Sequence, residues 1–187
     1  MDRKEEYAIV LDLLPYGHAG EARKEPVAQC LGELYFTLLE VVPKKGVSME
    51  VGERVYIGKD VREKVESIRG RIFFDALTNR AQNECEAAVR KVVGEREEQF
   101  VGFINRAGAI NIRSHSLEHL PSIGKKHLQE LLKERLKKPF ESFEDVQKRI
   151  AHLGKVNEIF VQRILEELTG KTKYFLFVKA PRREDRV

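Results

Sequence analysis

The 187-residue chain carries a net charge of +4, with 34% charged residues, 42% hydrophobic residues and no tryptophan. This balance excludes an extensively disordered chain, and no apolar run approaches the roughly 18 residues of a membrane-spanning helix. We therefore expect a globular cytoplasmic protein without a membrane partner, whose small positive charge permits a polyanionic partner without requiring one.

The first 58 residues predict a small β-rich domain. Residues 7–13 have the pattern of a strand, and the loop that follows contains Tyr16. Residues 27–42 predict a long strand bent at Gly32, or a bulge at that residue, and strands at 47–51 and 54–57 flank a turn at Gly52. Short strands with tight turns favour a small open barrel.

One segment of this region resembles a known fold. The sequence Gly-Glu-Arg-Val-Tyr-Ile-Gly at 52–58 is similar to a strand of an OB-fold or S1-like domain. The resemblance implies exposed aromatic side chains that stack on nucleic-acid bases. Tyr35, Phe36 and Tyr56 are candidates, but most aromatics of small barrels belong to the core. Tyr16 is the preferred candidate because it lies in a loop.

Residues 59–108 predict a helical spacer. Val61, Val65, Ile68 and Ile72 recur at helical spacing, which predicts a first helix. Asn79 with Gln82 resembles a capping box that opens a second helix, and residues 95–107 predict a third. We expect these helices to pack and assign them no chemistry.

The segment Leu120-Pro121-Ser122-Ile123-Gly124-Lys125-Lys126 separates two helical patterns, the first from Ser114 or Ser116 and the second over 125–136. Gly124 allows a positive φ or a close backbone approach. A tight turn here would point the amides of residues 123–126 outward at a helix N-terminus, where unpaired donors and the helix dipole bind anions. Residues 119–139 also hold six basic side chains against two acidic ones: Lys125, Lys126, Lys133, Arg135, Lys137 and Lys138 against Glu130 and Glu134.

At these residues the chain resembles the helix-hairpin-helix family, whose Leu-Pro-Gly-Ile-Gly-like hairpin grips nucleic-acid phosphates without reading sequence. Ser122 stands in place of the first glycine. A weaker echo, His-Leu-Gly-Lys-Val, follows at 152–156 between predicted helices at 142–150 and 157–168. The resemblance implies a pseudo-symmetric pair of hairpins. The predicted nucleic-acid contacts are Pro121, Ser122, Ile123, Gly124, Lys125, Lys126, Gly154, Lys155 and Tyr16.

Nearly the whole chain is similar to an archaeal family of uncharacterised proteins associated with nucleic-acid binding. The resemblance implies an α+β fold with an OB-like β-barrel at 1–58, a helical spacer at 59–108 and a helix-hairpin-helix domain at 109–170. Residues 174–178 predict a final aromatic strand that can return to the barrel, and residues 171–187 end in a basic tail.

Two enzymatic readings compete with this prediction. His115-Ser116-Leu117-Glu118-His119 matches the inverted zinc-peptidase motif H-x-x-E-H, but Leu120-Pro121 would end the required helix at once. Asp145 lies where a hairpin-containing glycosylase carries its catalytic aspartate, yet an acid in the first turn of a helix is explained by the helix dipole. Cys30 and Cys85 form no C-x-x-C pair and are predicted to be buried thiols.

We therefore predict a non-enzymatic protein that binds RNA or DNA through backbone phosphates, with no cofactor, metal or small-molecule substrate. The alternative is a protein-interaction module that keeps the fold without nucleic-acid binding.

Overall fold

The structure is a computed structural model that describes residues 4–22 and 24–180. It is a mixed α+β fold in which the chain forms two compact units. Residues 1–88 together with 167–187 make the first unit, and residues 89–166 make the second. Among the described residues the main elements are a curled five-stranded antiparallel sheet and five α-helices.

The sheet of the first unit has the strand order β4-β1-β2-β3-β5, and all neighbouring strands are antiparallel. Its strands are β1 Tyr7–Leu14, β2 Val27–Gly32, β3 Leu38–Pro43, β4 Arg54–Tyr56 and β5 Val65–Arg71. The apolar and β-branched residues of the central strands are almost fully buried and supply most of one core cluster. Cys30 lies in this core, and burial raises the pKa of its thiol to about 12. Cys85 is also buried and free, which confirms the prediction of two buried thiols.

The prediction of a single bent strand over 27–42 is wrong, because a turn separates β2 from β3. The buried carboxylate of Glu5 accepts hydrogen bonds from the amides of Leu34, Tyr35 and Thr37 at 2.8, 3.0 and 3.1 Å. Gly32 is needed for this arrangement, since a Cβ there would lie 2.2 Å from Cδ of Glu5. The turn is thus built around a carboxylate from the start of the chain.

Two further predictions are wrong, one in the β-rich region and one in the helical spacer. In the β-rich region, residues 47–51 form no strand, although the strand predicted at 54–57 is confirmed as β4. The region predicted as the first spacer helix contains β5, which pairs with β3 from Leu39↔Arg71 to Pro43↔Val65. Val61 and Ile68 are exposed, so the residues at helical spacing share no buried face. Backbone pairing at a sheet edge outweighs the helical spacing here.

The later helices are where the pattern placed them, within a few residues at each end. They are α1 Asn79–Glu95, α2 Glu97–Arg106, α3 Lys125–Lys137, α4 Phe143–Arg149 and α5 Val156–Leu168. The capping box predicted at Asn79 is wrong. The N-cap lies one residue earlier, at Thr78, whose hydroxyl accepts a hydrogen bond from the Ala81 amide at 3.0 Å. In the second unit, Phe160 packs against Phe100 and Phe143 with ring centroids 5.0 and 5.7 Å apart.

The predicted final strand at 174–178 is not formed. The carboxylate of Glu167, which is only 2% exposed, instead accepts the amides of Leu176, Phe177 and Val178 at 2.8–2.9 Å. The amide of Lys179 donates to the Tyr35 carbonyl at 3.0 Å, so this segment packs within the first unit. Most of the predicted basic tail, residues 181–187, lies outside the described residues. Within residues 4–22 and 24–180, no helix has the length and apolar character needed to cross a bilayer.

Candidate nucleic-acid interface

The first hairpin, residues 120–126, joins a short 3-10 helix to α3. A two-stranded ribbon of β6 Ala109–Asn111 and β7 Ser114–His115 leads into this 3-10 helix, which spans Ser116–His119. The predicted first helix is therefore one short turn rather than an α-helix. Gly124 is the N-cap of α3 in an extended conformation, with φ −87° and ψ −179°. We call residues 120–126 the first corner.

Gly124 does not use the positive φ that a glycine allows, and the positive φ of this turn is at Ser122, whose φ is 64°. Ser122 occupies the position at which the helix-hairpin-helix consensus has its first glycine. It adopts the left-handed conformation that glycine would adopt without strain. Its carbonyl lies 3.0 Å from Nδ1 of His127, and this contact ties the turn to the first turn of α3.

Three of the four amides predicted to point outward from the first corner are available to a ligand. The Ile123 amide donates to the Leu120 carbonyl at 3.2 Å, so it is not one of the outward-pointing donors. The amides of Gly124, Lys125 and Lys126 donate to no other group in the described part of the chain, and all three residues are exposed. These are the orphan donors of a helix N-terminus, where the dipole favours an anion.

Apolar side chains hold the first corner in place. Leu120 and Ile123 are buried, as are Leu117 before them and Leu131 on α3. Ile123 is thus an anchor of the turn rather than a ligand contact, while Pro121 is half-buried beside it. The burial fixes the direction of the exposed backbone amides.

The H-x-x-E-H motif forms a capping box. The Nδ1 atom of His115 accepts the Leu117 amide at 3.1 Å, and Oε2 of Glu118 accepts the His115 amide at 2.8 Å. His119 Nε2 lies 2.7 Å from Oγ of Ser114. His115 therefore precedes the 3-10 helix. The peptidase motif requires two histidines one turn apart on an α-helix, and His115 and His119 do not have that arrangement. Burial and the positive charge of Arg135 lower the pKa of His115, against a smaller opposing effect of Glu118.

The second hairpin, residues 150–156, repeats the design of the first, and we call it the second corner. His152 has a positive φ of 61°, and Ile150 and Leu153 are buried like Leu120 and Ile123. Gly154 and Lys155 are exposed, and their amides have no partner among residues 4–22 and 24–180. Gly154 itself has a φ of 82°, unlike Gly124.

The basic residues of 119–139 do not form one uninterrupted patch. Arg135 donates to the carbonyls of Ile104 and Ala107 at 2.9 and 2.8 Å, a structural role. Lys126 lies 4.0 Å from Glu130, Lys137 lies 2.5 Å from Glu134 and Lys138 lies 3.0 Å from Glu141. Lys125, Lys133 and Lys155 are exposed without an ion pair in the described part of the chain. Lys133, which is not among the predicted contacts, lies seven residues from Lys126 and therefore on the same face of α3.

The other residues that the sequence singled out lie outside the two corners. Tyr16 is 75% exposed in the loop after β1, whereas Phe36 is buried in the first unit. Asp145 lies in the first turn of α4, where its amide donates to Oγ of the N-cap residue Ser142 at 3.0 Å. Its carboxylate accepts the Glu141 amide at 3.1 Å and Arg149 at 3.2 Å. Asp145 thus stabilises the start of a helix.

Comparisons with known proteins identify relatives over nearly the whole chain. A family model described as "Protein of unknown function (DUF655)" matches residues 4–179. The uncharacterized protein MJ0038 of Methanocaldococcus jannaschii is 45% identical over 178 residues, which is 94% of this chain and 80% of that protein. The crystal structure of Af1531 from Archaeoglobus fulgidus is similar with a TM-score of 0.84 and 41% identity, over 94% of this chain and all of that one. Both relatives come from archaea.

Proposed function

The chain belongs to the DUF655 family of proteins of unknown function, and we propose that it binds nucleic-acid backbones, RNA or DNA, without enzymatic activity. The contacts are made by the two corners of the second unit, which act as a pair of helix-hairpin-helix hairpins. Nucleic-acid phosphates dock against the exposed amides of Gly124, Lys125 and Lys126, and the ammonium groups of the two lysines neutralise them.

One observation carries this proposal: two corners in the same compact unit repeat one backbone design. Each has a left-handed third residue, buried apolar first and fourth residues, an exposed glycine and an exposed lysine at the start of a helix. In the described part of the chain, each presents unpartnered amides next to a lysine, an arrangement that favours a phosphate group. A repeated pair suits a polymer with repeated phosphates better than a single anion.

The first unit supplies the OB-like part of the proposal. Its curled five-stranded antiparallel sheet and the exposed ring of Tyr16 are the features that support a surface for single-stranded bases. On this view the corners hold backbone phosphates and the β-unit offers a separate aromatic contact.

Backbone contacts of this kind position a protein without reading sequence. We therefore expect binding that tolerates any sequence and weakens steeply with salt, because each neutralised phosphate releases condensed counterions. A survey of single-stranded, duplex and structured RNA and DNA by filter binding identifies the preferred polymer.

Charge reversal at the first corner tests the proposal. The double variant Lys125→Glu/Lys126→Glu should weaken binding and shallow the slope of log K against log salt by about 1.4 to 1.8 for two lost phosphate contacts. The matched control is Lys59→Glu/Lys171→Glu, which changes the net charge equally at two exposed lysines of the first unit. Equal losses in both double variants would show that only net charge matters, and the corner assignment would be abandoned.

The backbone donor can be tested separately from the lysine charge. Lys125 is the first residue of α3, a position that tolerates proline, and Gly124 before it is extended as proline requires. Lys125→Pro and Lys125→Ala both remove the ammonium group, but only the proline variant removes the amide hydrogen. We expect Lys125→Pro to bind about tenfold more weakly than Lys125→Ala. Equal affinities would exclude the amide as a phosphate ligand.

A parent protein that binds no nucleic acid at low salt would support the alternative, a protein-interaction module. In that case Lys125 and Lys126 form a solvated helix start, and Ile123 serves only as a packing anchor.

A further inference from the structure

The first unit contains an open cavity of about 500 Å³ at one end of β5. Its walls come from the turn before β3, the end of β5 with the short 3-10 helix Phe74–Ala76, the end of α5 and the segment near Lys179. The volume lies within the range of roughly 300 to 1,000 Å³ that small-molecule sites occupy. None of the nine predicted nucleic-acid contacts lines it, although Phe36, one of the other aromatic candidates, does.

The lining combines aromatic rings with cationic groups. Phe73 lines the cavity with 37% of its surface exposed, and Phe74 and Phe175, both half-buried, are further aromatic wall residues. Arg71 and Lys179 also line it, and Nη2 of Arg71 donates to the Lys179 carbonyl at 3.0 Å. This bond fixes the guanidinium group of an exposed lining residue.

The lining also contains a hydrogen-bond acceptor. Asp75 is exposed, and its carboxylate can accept hydrogen bonds from a ligand. The cavity therefore offers aromatic rings, a carboxylate acceptor and two cationic side chains.

The geometry points to a binding site for a small ligand with a planar aromatic part and an anionic group, the chemistry of a nucleoside monophosphate. The base stacks on Phe73, its amino or ring N–H groups donate to the Asp75 carboxylate, and the phosphate contacts Arg71 and Lys179. A planar, partly polar base suits this lining better than a flexible acyl chain, because the lining supplies a carboxylate acceptor as well as apolar contact. This site lies in the first unit and does not depend on the corner proposal.

The backbone at the cavity adds a second observation. Phe36, a lining residue, has a φ of 50°, a left-handed conformation that is rare for a bulky aromatic residue. Such strain concentrates at ligand sites, where the surrounding structure holds it in place. Here the Glu5 carboxylate bonds the amides on both sides of Phe36, those of Tyr35 and Thr37.

Isothermal titration calorimetry with adenosine and uridine 5′-monophosphates tests the proposal on the full chain. We expect saturable binding to at least one of them, weakened about 5- to 150-fold by Phe73→Ala because a stacking partner is lost. Phe73→Tyr should retain the affinity, and Ile68→Ala, an exposed apolar residue on β5 that is not part of the lining, serves as the matched control. Thermal unfolding of each variant establishes that it is folded.

The phosphate contact needs its own comparison. Adenosine should bind the parent more weakly than its monophosphate, and Arg71→Gln should remove most of that difference. Absence of saturable binding up to about 1 mM, or an affinity that Phe73→Ala leaves unchanged, would overturn the proposal. Preferential binding of octanoate would overturn it in favour of an apolar carboxylate site. Under the proposed function the corners also bind phosphate groups. Because Phe73 is not part of either corner, the loss of affinity in Phe73→Ala distinguishes this site from binding at the corners.

Discussion

The two corners share a backbone design but use their glycines differently. Gly124 in the first corner has an extended conformation, whereas Gly154 in the second has a φ of 82° that favours glycine. Within the described residues, and apart from the chain neighbours, no heavy atom lies within 4 Å of an added Cβ at either position, so space does not distinguish them. The glycine of the first corner is a small N-cap, and that of the second is a conformational requirement.

The seventh residue of each corner also differs. Lys126 is exposed with an unpartnered amide among the described residues, while Val156 is buried and its amide donates to Oε1 of Gln147 at 3.1 Å. The first corner therefore presents one more amide and one more ammonium group than the second. If both corners bind phosphate, the first supplies the larger share of the affinity.

The shared part of the design is the apolar anchor, and its loss should have the largest effect. Leu120→Ala and Ile150→Ala each remove a buried side chain from the first position of a corner. Each should lower the free energy of unfolding by about 2–5 kcal/mol, measured by urea denaturation. Leu136→Ala, at a side chain that is 85% exposed on α3, is the control and should change it by less than about 0.5 kcal/mol. A small effect at only one anchor would show that the corners are held differently.

The glycines separate the corners at a smaller scale. Gly154→Ala should cost about 1–2 kcal/mol of unfolding free energy, because alanine is strained in the left-handed conformation. Gly124→Ala should be nearly neutral, and Gly124→Ser should stabilise the protein by a few tenths of a kcal/mol through an added N-cap hydroxyl. The same denaturation assay checks both. Equal costs at the two positions would contradict the difference in backbone conformation.

Sequence patterns predicted the part of this molecule that depends on local interactions. The helices at 125–136, 142–150 and 157–168 follow from apolar spacing, a Ser142 cap and glycine or proline stops, and they are confirmed. Both corners were located from the Gly-Lys pairs at 124–125 and 154–155. The assignment of nucleic-acid contacts to them stays a prediction.

The failures have a common physical cause in long-range contacts. The turn between β2 and β3 depends on Glu5, which is 29 to 32 positions away, and the segment after α5 depends on the buried Glu167. In each case the carboxylate that accepts three backbone amides comes from outside the segment. The sequence of the segment itself therefore does not indicate the conformation that the carboxylate holds. The positive φ at Ser122 was also not predicted, since propensity alone favours a positive φ at the nearby glycine.

The left-handed residues of both corners should respond alike to substitution. Ser122→Gly and His152→Gly relieve a strain of about 1–2 kcal/mol but add glycine's extra freedom in the unfolded chain. We expect each to raise the free energy of unfolding by about 0.5–1 kcal/mol, measured as a shift in the denaturation midpoint. Ser122→Val should do the opposite, because a β-branched residue tolerates positive φ poorly. Destabilisation by Ser122→Gly would mean that the serine side chain contributes to the turn.

The smallest expected difference between the corners is in their response to pH. The element before the first corner is capped by the imidazole of His115, and the one before the second by the hydroxyl of Ser142, which does not titrate near neutral pH. Burial and Arg135 lower the pKa of His115 below its usual value of 6.5, so the folded protein binds its proton less readily than the unfolded chain. The stability that depends on this group is therefore complete above about pH 6.5. It is lost as the pH falls through the interval between 6.5 and the lower pKa of the folded state.

His115→Asn isolates this contribution, because asparagine caps a helix without titrating. The parent should lose more unfolding free energy than His115→Asn between pH 7 and pH 5 in urea titrations. Amides of the first corner should also exchange faster with solvent in the parent at the lower pH, while those of the second corner should show no such difference between parent and variant. Parallel pH profiles for the two proteins would show that the His115 cap does not couple protonation to the first corner, and the two corners would then differ only in their glycines and their seventh residues.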